Sequence, residues 1–205
     1  MASPRSFALF ATAIGTCAIA WNEIGLIGVW LPEASADSLR RRVARRCDGG
    51  REGDPAGWVA DAVEAITRLL AGEHVDLSGV ALDSAGIDEF DRRVYAVTRT
   101  IAPGRVLTYG ELAARVGADA SARAVGQSLG RNAMPIVVPC HRVVATGGGI
   151  GGFSAPGGTE TKRRLLAIED AHPSGPPGLF DADVDPHAPT DDRAASSGRE
   201  ARPGP

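Results

Sequence analysis

A run of β-forming residues pinned by two prolines constrains this chain more than any other feature. It reads Met134-Pro135-Ile136-Val137-Val138-Pro139-Cys140-His141-Arg142-Val143-Val144. Pro139 has no amide proton and biases Val138 towards extended backbone. Cys140 is therefore expected where a strand leaves its ladder, not deep inside a sheet. A thiol at such a point, accessible and beside a histidine, has what a nucleophile needs. The competing reading is a buried structural cysteine next to a surface histidine, since free cysteine commonly behaves as a small hydrophobe.

The chain has 205 residues, enough for one large or two small domains with a real core. Its charge is unevenly spread. Residues 90–170 hold 11 basic and 6 acidic side chains, against 8 and 13 in residues 1–89 and 3 and 6 in residues 171–205. A cationic middle third suits a phosphate backbone, although ordinary surface arginine gives the same count. Lys162 is the only lysine against 21 arginines, a bias of composition. Three cysteines, at 17, 47 and 140, are too few and too far apart for a disulfide framework and fit a reducing cytoplasm. No CxxC or HxxxH pair occurs, so no metal site is expected.

Phe7 to Trp21 is mostly apolar and follows Arg5, as a signal peptide would. Thr12, Gly15 and Thr16 interrupt it, and the apolar pattern turns at Asn22-Glu23 and continues to Leu31. A β-hairpin over 7–31 is expected instead of a cleaved leader. No run reaches the ~18 unbroken apolar residues of a membrane span. A short Arg-rich helix follows over 36–47, capped by Asp37. A loop over 48–57, an amphipathic helix over 58–71 and a strand from Val75 to Leu82 come next, and residues 84–87 read as a linker.

Asp88 starts a helix whose buried stripe is Phe90, Val94, Val97 and Ile101. Thr108-Tyr109-Gly110-Glu111 is a capping box opening a helix that stops at Gly117. A second helix, about Ala120 to Gly130, is expected to be capped by Asp119. Two short helices around a glycine-containing turn match helix-turn-helix geometry, although many such pairs bind nothing. The second helix is built of small residues apart from Arg123, Gln127 and Leu129, so it could lie close to a groove with Arg123 as its probe. Five glycines within Gly147–Ser154 suit a pocket wall or a mobile loop, not a nucleotide-cofactor motif. A last helix over 159–169 places Leu165, Leu166 and Ile168 inward and Lys162, Arg163 and Arg164 outward. Glu169 at its end opposes the helix dipole and needs a partner, for which His141 is the candidate. The last 35 residues hold seven of the fourteen prolines and read as a disordered acidic tail.

Taken together, Pro139 to Val143, Thr108 to Ala113, Ala122 to Gly126, Arg131-Asn132, Gly151 to Ser154 and Lys162 to Glu169 resemble, in order, the motifs of the methylated-DNA–protein-cysteine methyltransferase family. The resemblance is strong over about 88–170 and weaker over 7–82. It implies an α+β protein, with a small ribonuclease-H-like N-terminal α/β domain over 1–85. A mostly helical domain over 86–170 would carry a helix-turn-helix and a Pro-Cys-His-Arg active-site strand. It implies repair of 6-O-alkylguanine, and of 4-O-alkylthymine as an extension, in a single-turnover reaction with no cofactor. Cys140 would accept the alkyl group, His141 and Glu169 would deprotonate it through a water, Tyr109 would donate a proton, and Asn132 would join the two halves of the site. Arg123 would fill the place of the extruded base, with Ser121, Gln127 and Arg131 on the DNA. Val143, Phe153 and Ser154 would line the base pocket. The partner would be double-stranded DNA, met by a cytoplasmic monomer, nucleoid-associated in a bacterium.

Physical chemistry points the same way. Adjacent residues of an extended segment face apart, so a water between Cys140 and His141 is more credible than a direct ion pair. A methyl group inside the duplex is reachable only if the nucleotide leaves the stack, at a cost of a few kcal/mol. Phe153 stands where many family members have tyrosine, and the Ala155-Pro156-Gly157-Gly158 loop bears on which alkyl groups fit. Three alternatives compete: a non-transferring sensor of alkylated DNA, a sequence-specific transcription factor and a cysteine hydrolase. The sensor leaves Cys140 with its His141 and Glu169 unused, the factor lacks base-reading side chains, and the hydrolase lacks a second distant histidine.

Overall fold

A computed structural model describes residues 5–173. The proline-rich tail lies outside these residues beyond 173. The N-terminal half is a four-stranded sheet in the order β3-β2-β1-β4, with β1 (Ser6–Thr12), β2 (Gly15–Trp21) and β3 (Leu26–Trp30) antiparallel and β4 (Arg51–Glu52) parallel to β1. The expected single hairpin over 7–31 is thus three strands. Its first turn, at Ala13-Ile14, carries none of the Asn-Gly or Asp-Gly chemistry that announces a hairpin. It is closed instead by Thr12, whose hydroxyl donates to the Gly15 carbonyl at 2.7 Å.

Both faces of this sheet are covered, which is why β2 reads as a continuous apolar run instead of alternating. Phe7, Ala18 and Ala20 pack against Leu39 and Val43 of α1 (Ala36–Arg46). Ala8, Cys17 and Ile19 face the main core, which includes Ile66 and Leu70 of α2 (Trp58–Leu70). The cap of α1 is Ser35, whose side chain accepts from the Ser38 amide, and not Asp37, which lies inside the first turn. The loop expected over 48–57 contributes β4 through two residues.

No strand forms over Val75–Leu82. Only an isolated bridge pairs Leu82 with Leu26. The segment is fixed by the Arg99 guanidinium, which donates to the carbonyls of Leu77, Ser78 and Val80 at 3.1, 2.6 and 2.6 Å. A cation that takes up the carbonyls leaves no ladder to build.

The second half is helical: α3 (Glu89–Thr98), α4 (Tyr109–Val116), α5 (Ala122–Gly130) and α6 (Gly158–Ile168). Asp88 caps α3, and Thr108 with Glu111 forms the complete capping box of α4. Helix α5 is capped by Ser121, not Asp119, because Asp119 is held in an ion pair by Arg93. A two-stranded parallel sheet joins β5 (Leu107–Thr108) to β6 (Val143–Val144). That pairing brings the start of α4 alongside the Pro-Cys-His-Arg segment. Among the described residues no helix is long and apolar enough to cross a membrane.

Candidate active site

Cys140 does not sit on a strand. Pro139 has φ −79 and ψ 64, and the Cys140 amide donates back to the Val138 carbonyl at 2.8 Å, an inverse γ-turn. Cys140–Arg142 then form one turn of 3₁₀ helix before β6 begins. Proline's fixed φ suits the γ-turn as well as it suits a strand end, so the two could not be separated by sequence. Just upstream, Ile136 has φ +75, a strained conformation for a β-branched residue.

The thiol is buried, with Cys140 only 7% exposed, contrary to an accessible position. It is not sealed in hydrocarbon. Cys140 lines a cavity of about 620 Å³ together with Asn132, Met134, Pro135, Phe153 and Ser154. The cavity continues past Trp30 and Arg46 of the N-terminal layers. Asn132 holds this wall together: its amide group donates to the Val138 carbonyl at 2.9 Å and to the Cys140 sulfur at 3.3 Å, and its oxygen accepts from the Met134 amide at 2.9 Å. Burial pushes the Cys140 thiol pKa up, against the opposing pull of Asn132, the Lys162 charge and nearby backbone amides.

His141, the next residue, is fully buried and its Nε2 pairs with the Glu169 carboxylate at 2.9 Å. Its Nδ1 has no hydrogen-bond partner among the described residues. Glu169 also receives Arg142, whose Nε and a terminal nitrogen both donate to it at 2.8 Å. Burial alone would raise the Glu169 pKa, but the hydrogen bonds from His141 and Arg142 prevail and hold it at about 2. Burial keeps His141 below the usual imidazole range despite that carboxylate. Arg142 is a member of the site that its sequence position did not reveal, since its partner lies 27 residues away.

Tyr109, the first residue of α4, points its ring across Gly126 of α5, and its hydroxyl lies 3.4 Å from the Gly152 carbonyl. Burial raises its pKa, so the phenol keeps its proton at neutral pH. Gly151, at φ +73, passes so near that a Cβ would lie 2.9 Å from the Tyr109 ring. Lys162 is not outward: it is fully buried and donates to the carbonyls of Val143 and Gly152.

Not every expected residue converges. Arg123 and Gln127 lie exposed on α5 and Arg123 has no ion pair or hydrogen bond among the described residues, while the Ser121 hydroxyl caps the helix. Arg131 is engaged by Asp91 in a two-pronged pair at 2.9 and 2.6 Å, so its fork is not free for a phosphate. Ser154 is exposed at the cavity mouth.

Residues 89–171 match the family model of the 6-O-methylguanine DNA methyltransferase DNA-binding domain. A methylated-DNA–protein-cysteine methyltransferase of Mycolicibacterium paratuberculosis is 40% identical over 143 residues, covering 67% of this chain and 84% of that one. The chain belongs to the methylated-DNA–protein-cysteine methyltransferase family. A Mycobacterium tuberculosis member is 40% identical over 128 residues, covering 62% of this chain and 74% of that one. Among solved structures, the Mycobacterium tuberculosis O6-methylguanine methyltransferase superposes with a TM-score of 0.63 at 32% identity, covering 81% and 93% of the two chains. Another structure shows the enzyme from that organism in complex with DNA, with a TM-score of 0.60 at 29% identity, over 80% and 92% of the chains. The methyltransferase match takes in the turn with Cys140, the His141–Glu169 pair and the glycine-rich loop together.

Proposed function

We infer that this methyltransferase repairs DNA by moving the alkyl group of 6-O-alkylguanine to its own Cys140. The observation that carries this reading is Cys140 on the wall of a cavity large enough for a purine, next in the chain to a His141 that is buried and paired with Glu169. The thiol is raised at rest, so it must be deprotonated in place. With Nε2 bound to Glu169, His141 offers Nδ1 to take the thiol proton through a water, and Glu169 stabilises the imidazolium that forms. The sulfur forms a bond to the alkyl carbon, the carbon–oxygen bond breaks, and its electron pair leaves with the guanine. Tyr109, kept protonated by burial, donates the proton that neutral guanine requires. The thioether is too stable to hydrolyse, so each molecule acts once.

The lesion reaches the thiol only outside the base stack. Helices α4 and α5, joined through residues 117–121, form the helix-turn-helix of this reading, with α5 against the duplex and Arg123 in the vacated position. The α5 surface is slim, with Gly126 facing Tyr109 and Arg123 exposed. Val143, Phe153 and Ser154 with their main chain hold the base edge. The antiparallel meander with a parallel β4 and a helix on each face supports a ribonuclease-H-like unit over 1–85, ahead of the transfer unit over 86–170. A cytoplasmic monomer acting on double-stranded DNA completes the proposal.

Intact-protein mass measurement after incubation with a duplex containing 6-O-methylguanine should show one added methyl group, mapped to Cys140. Cys140→Ala should bind DNA and gain none. Tight binding of alkylated DNA with the thiol still free would make the protein a sensor instead.

A further inference from the structure

Lys162 has the largest fully buried side chain among the described residues. Its ammonium donates to the Val143 carbonyl at 2.6 Å and to the Gly152 carbonyl at 3.2 Å, and lies 5.5 Å from the centre of the Tyr109 ring. Those two carbonyls belong to different parts of the site. Val143 is the residue at which the chain leaves the Cys140–Arg142 turn. Gly152 precedes Phe153 and Ser154, which line the cavity beside Cys140. The Tyr109 hydroxyl reaches the same Gly152 carbonyl at 3.4 Å.

Burying a charge without a carboxylate partner is costly. Here it is retained, and burial lowers the ammonium pKa to about 8, with Cys140 acting in the opposite direction. The residue type matters as much as the charge. Twenty-one of the 22 basic side chains that make up Lys+Arg are arginine, so compositional drift would place arginine here too. An ammonium is compact and sends its donors in diverging directions, whereas guanidinium is a flat fork matched to one carboxylate. Here one compact nitrogen reaches two carbonyls on separate segments.

We propose that Lys162 is a positioning residue whose ammonium clamps the glycine-rich loop at Gly152 to the chain leaving the Cys140 turn at Val143, holding the Phe153–Ser154 wall in place for transfer. This rests on Cys140 being the alkyl acceptor. The clamp does no chemistry itself. It fixes the distance between the wall that holds the base and the sulfur that attacks.

The test compares Lys162→Arg and Lys162→Met with the unaltered full chain in three readouts: transfer from a methylated duplex, alkylation of Cys140 by iodoacetamide mapped by peptide mass, and hydrogen exchange over residues 146–154. Iodoacetamide needs the sulfur but not the base wall. Both variants should transfer at least about tenfold more slowly, since a misplacement of about 1 Å costs on the order of 10²-fold. The loop should exchange faster in both, and Lys162→Arg, which keeps the charge beside the sulfur, should react with iodoacetamide at close to the unaltered rate. Normal transfer by Lys162→Arg would show that charge alone suffices and would overturn the clamp. A parallel fall in the iodoacetamide reactivity of Lys162→Arg would overturn it as well, by assigning Lys162 to the sulfur itself.

Should neither variant fold, the single lysine gives a direct measurement in the unaltered protein. Isotope-labelled lysine yields one ammonium resonance, expected to exchange slowly and to couple to the carbonyl carbons of Val143 and Gly152; fast exchange without coupling rejects the clamp. An unaltered protein that shows those couplings but never methylates Cys140 would reject the repair reading and leave the clamp standing.

Discussion

At the scale of single residues, the site is a stack of groups that control one another's protons. Glu169 is held by His141 and by two nitrogens of Arg142. Glu169→Gln would leave the Arg142 guanidinium buried without a counter-charge, and breaking such a pair costs ~3–5 kcal/mol. Urea denaturation at pH 7 should record that loss; an unchanged midpoint would mean that Arg142 is solvated instead of paired. The sign of the pH dependence follows. Folding lowers the Glu169 pKa from 4.5 to about 2, so the unfolded chain binds the extra proton between those values. The stability from this carboxylate is full above pH 4.5 and is lost as pH falls towards 2. His141 adds to the acid side, because its folded pKa is also lowered and the unfolded imidazole takes a proton first, below its ordinary 6.5. The difference in unfolding free energy between the unaltered protein and Glu169→Gln should therefore shrink as pH drops through 4.5. Residue types at this scale were legible in sequence: a cysteine, a histidine and a carboxylate in ordered motifs. Of their long-range partners, the pairing of His141 with Glu169 was legible and stands at 2.9 Å, and the rest were not. Nothing in the spacing says that Arg142 turns to Glu169, or that Lys162 turns inward while Arg163 and Arg164, its neighbours on the same helix, stay exposed.

At the scale of elements, sequence chemistry is most readable where it is local. The Thr108–Glu111 box and the Asp88 cap involve contacts within three residues, and both stand in the structure as expected. Asp119, the expected cap of α5, is instead held in an ion pair by Arg93 on another helix, and Ser121 caps the helix. Tertiary context also settled the Cys140 segment: a γ-turn and one 3₁₀ turn present the sulfur to the cavity where a strand end was expected. The exposed surface of α5 permits a direct test of base extrusion. On the proposed reading Arg123 lies outside the chemistry, so Arg123→Ala should methylate Cys140 more slowly with duplex DNA while reacting with the free 6-O-methylguanine base at the unaltered rate. Equal losses on both substrates would remove α5 from extrusion and place Arg123 in the transfer step itself. Single-turnover rates on the two substrates give the comparison without any assumption about affinity.

At the scale of the whole molecule, the proposed boundary near residue 85 does not divide the core. One apolar cluster runs from Ile19 and Val29 through Ile66 to Val94, Leu112 and Val138. Polar contacts cross at several points. The Val29 amide donates to the Ala133 carbonyl at 2.9 Å, just ahead of the Cys140 segment. Arg164 reaches the carbonyls of Ala13 and Ile14 at the first hairpin turn, and His74 lies 3.2 Å from the main-chain oxygen of Glu169. The Arg99 guanidinium gathers three carbonyls of the connecting segment. A chain joined in this way should unfold as one unit even if it is built from two. The tryptophans at 21, 30 and 58 all lie in the first half, so their fluorescence reports that half alone. Hydrogen exchange of α5 amides reports the other half. Across a urea series the two should give coincident midpoints. Arg99→Ala removes charged hydrogen bonds worth ~1.5–3 kcal/mol each before compensation by water, and most of that compensation is available at this partly exposed position. It should lower both midpoints together by a similar amount. A fluorescence transition that moved while α5 protection stayed would show that the halves fold independently and that the continuous core is only a contact surface between them. If both move together, the sheet supports the proposed acceptor site mechanically: β3 holds Ala133, and Ala133 leads to the turn that carries Cys140.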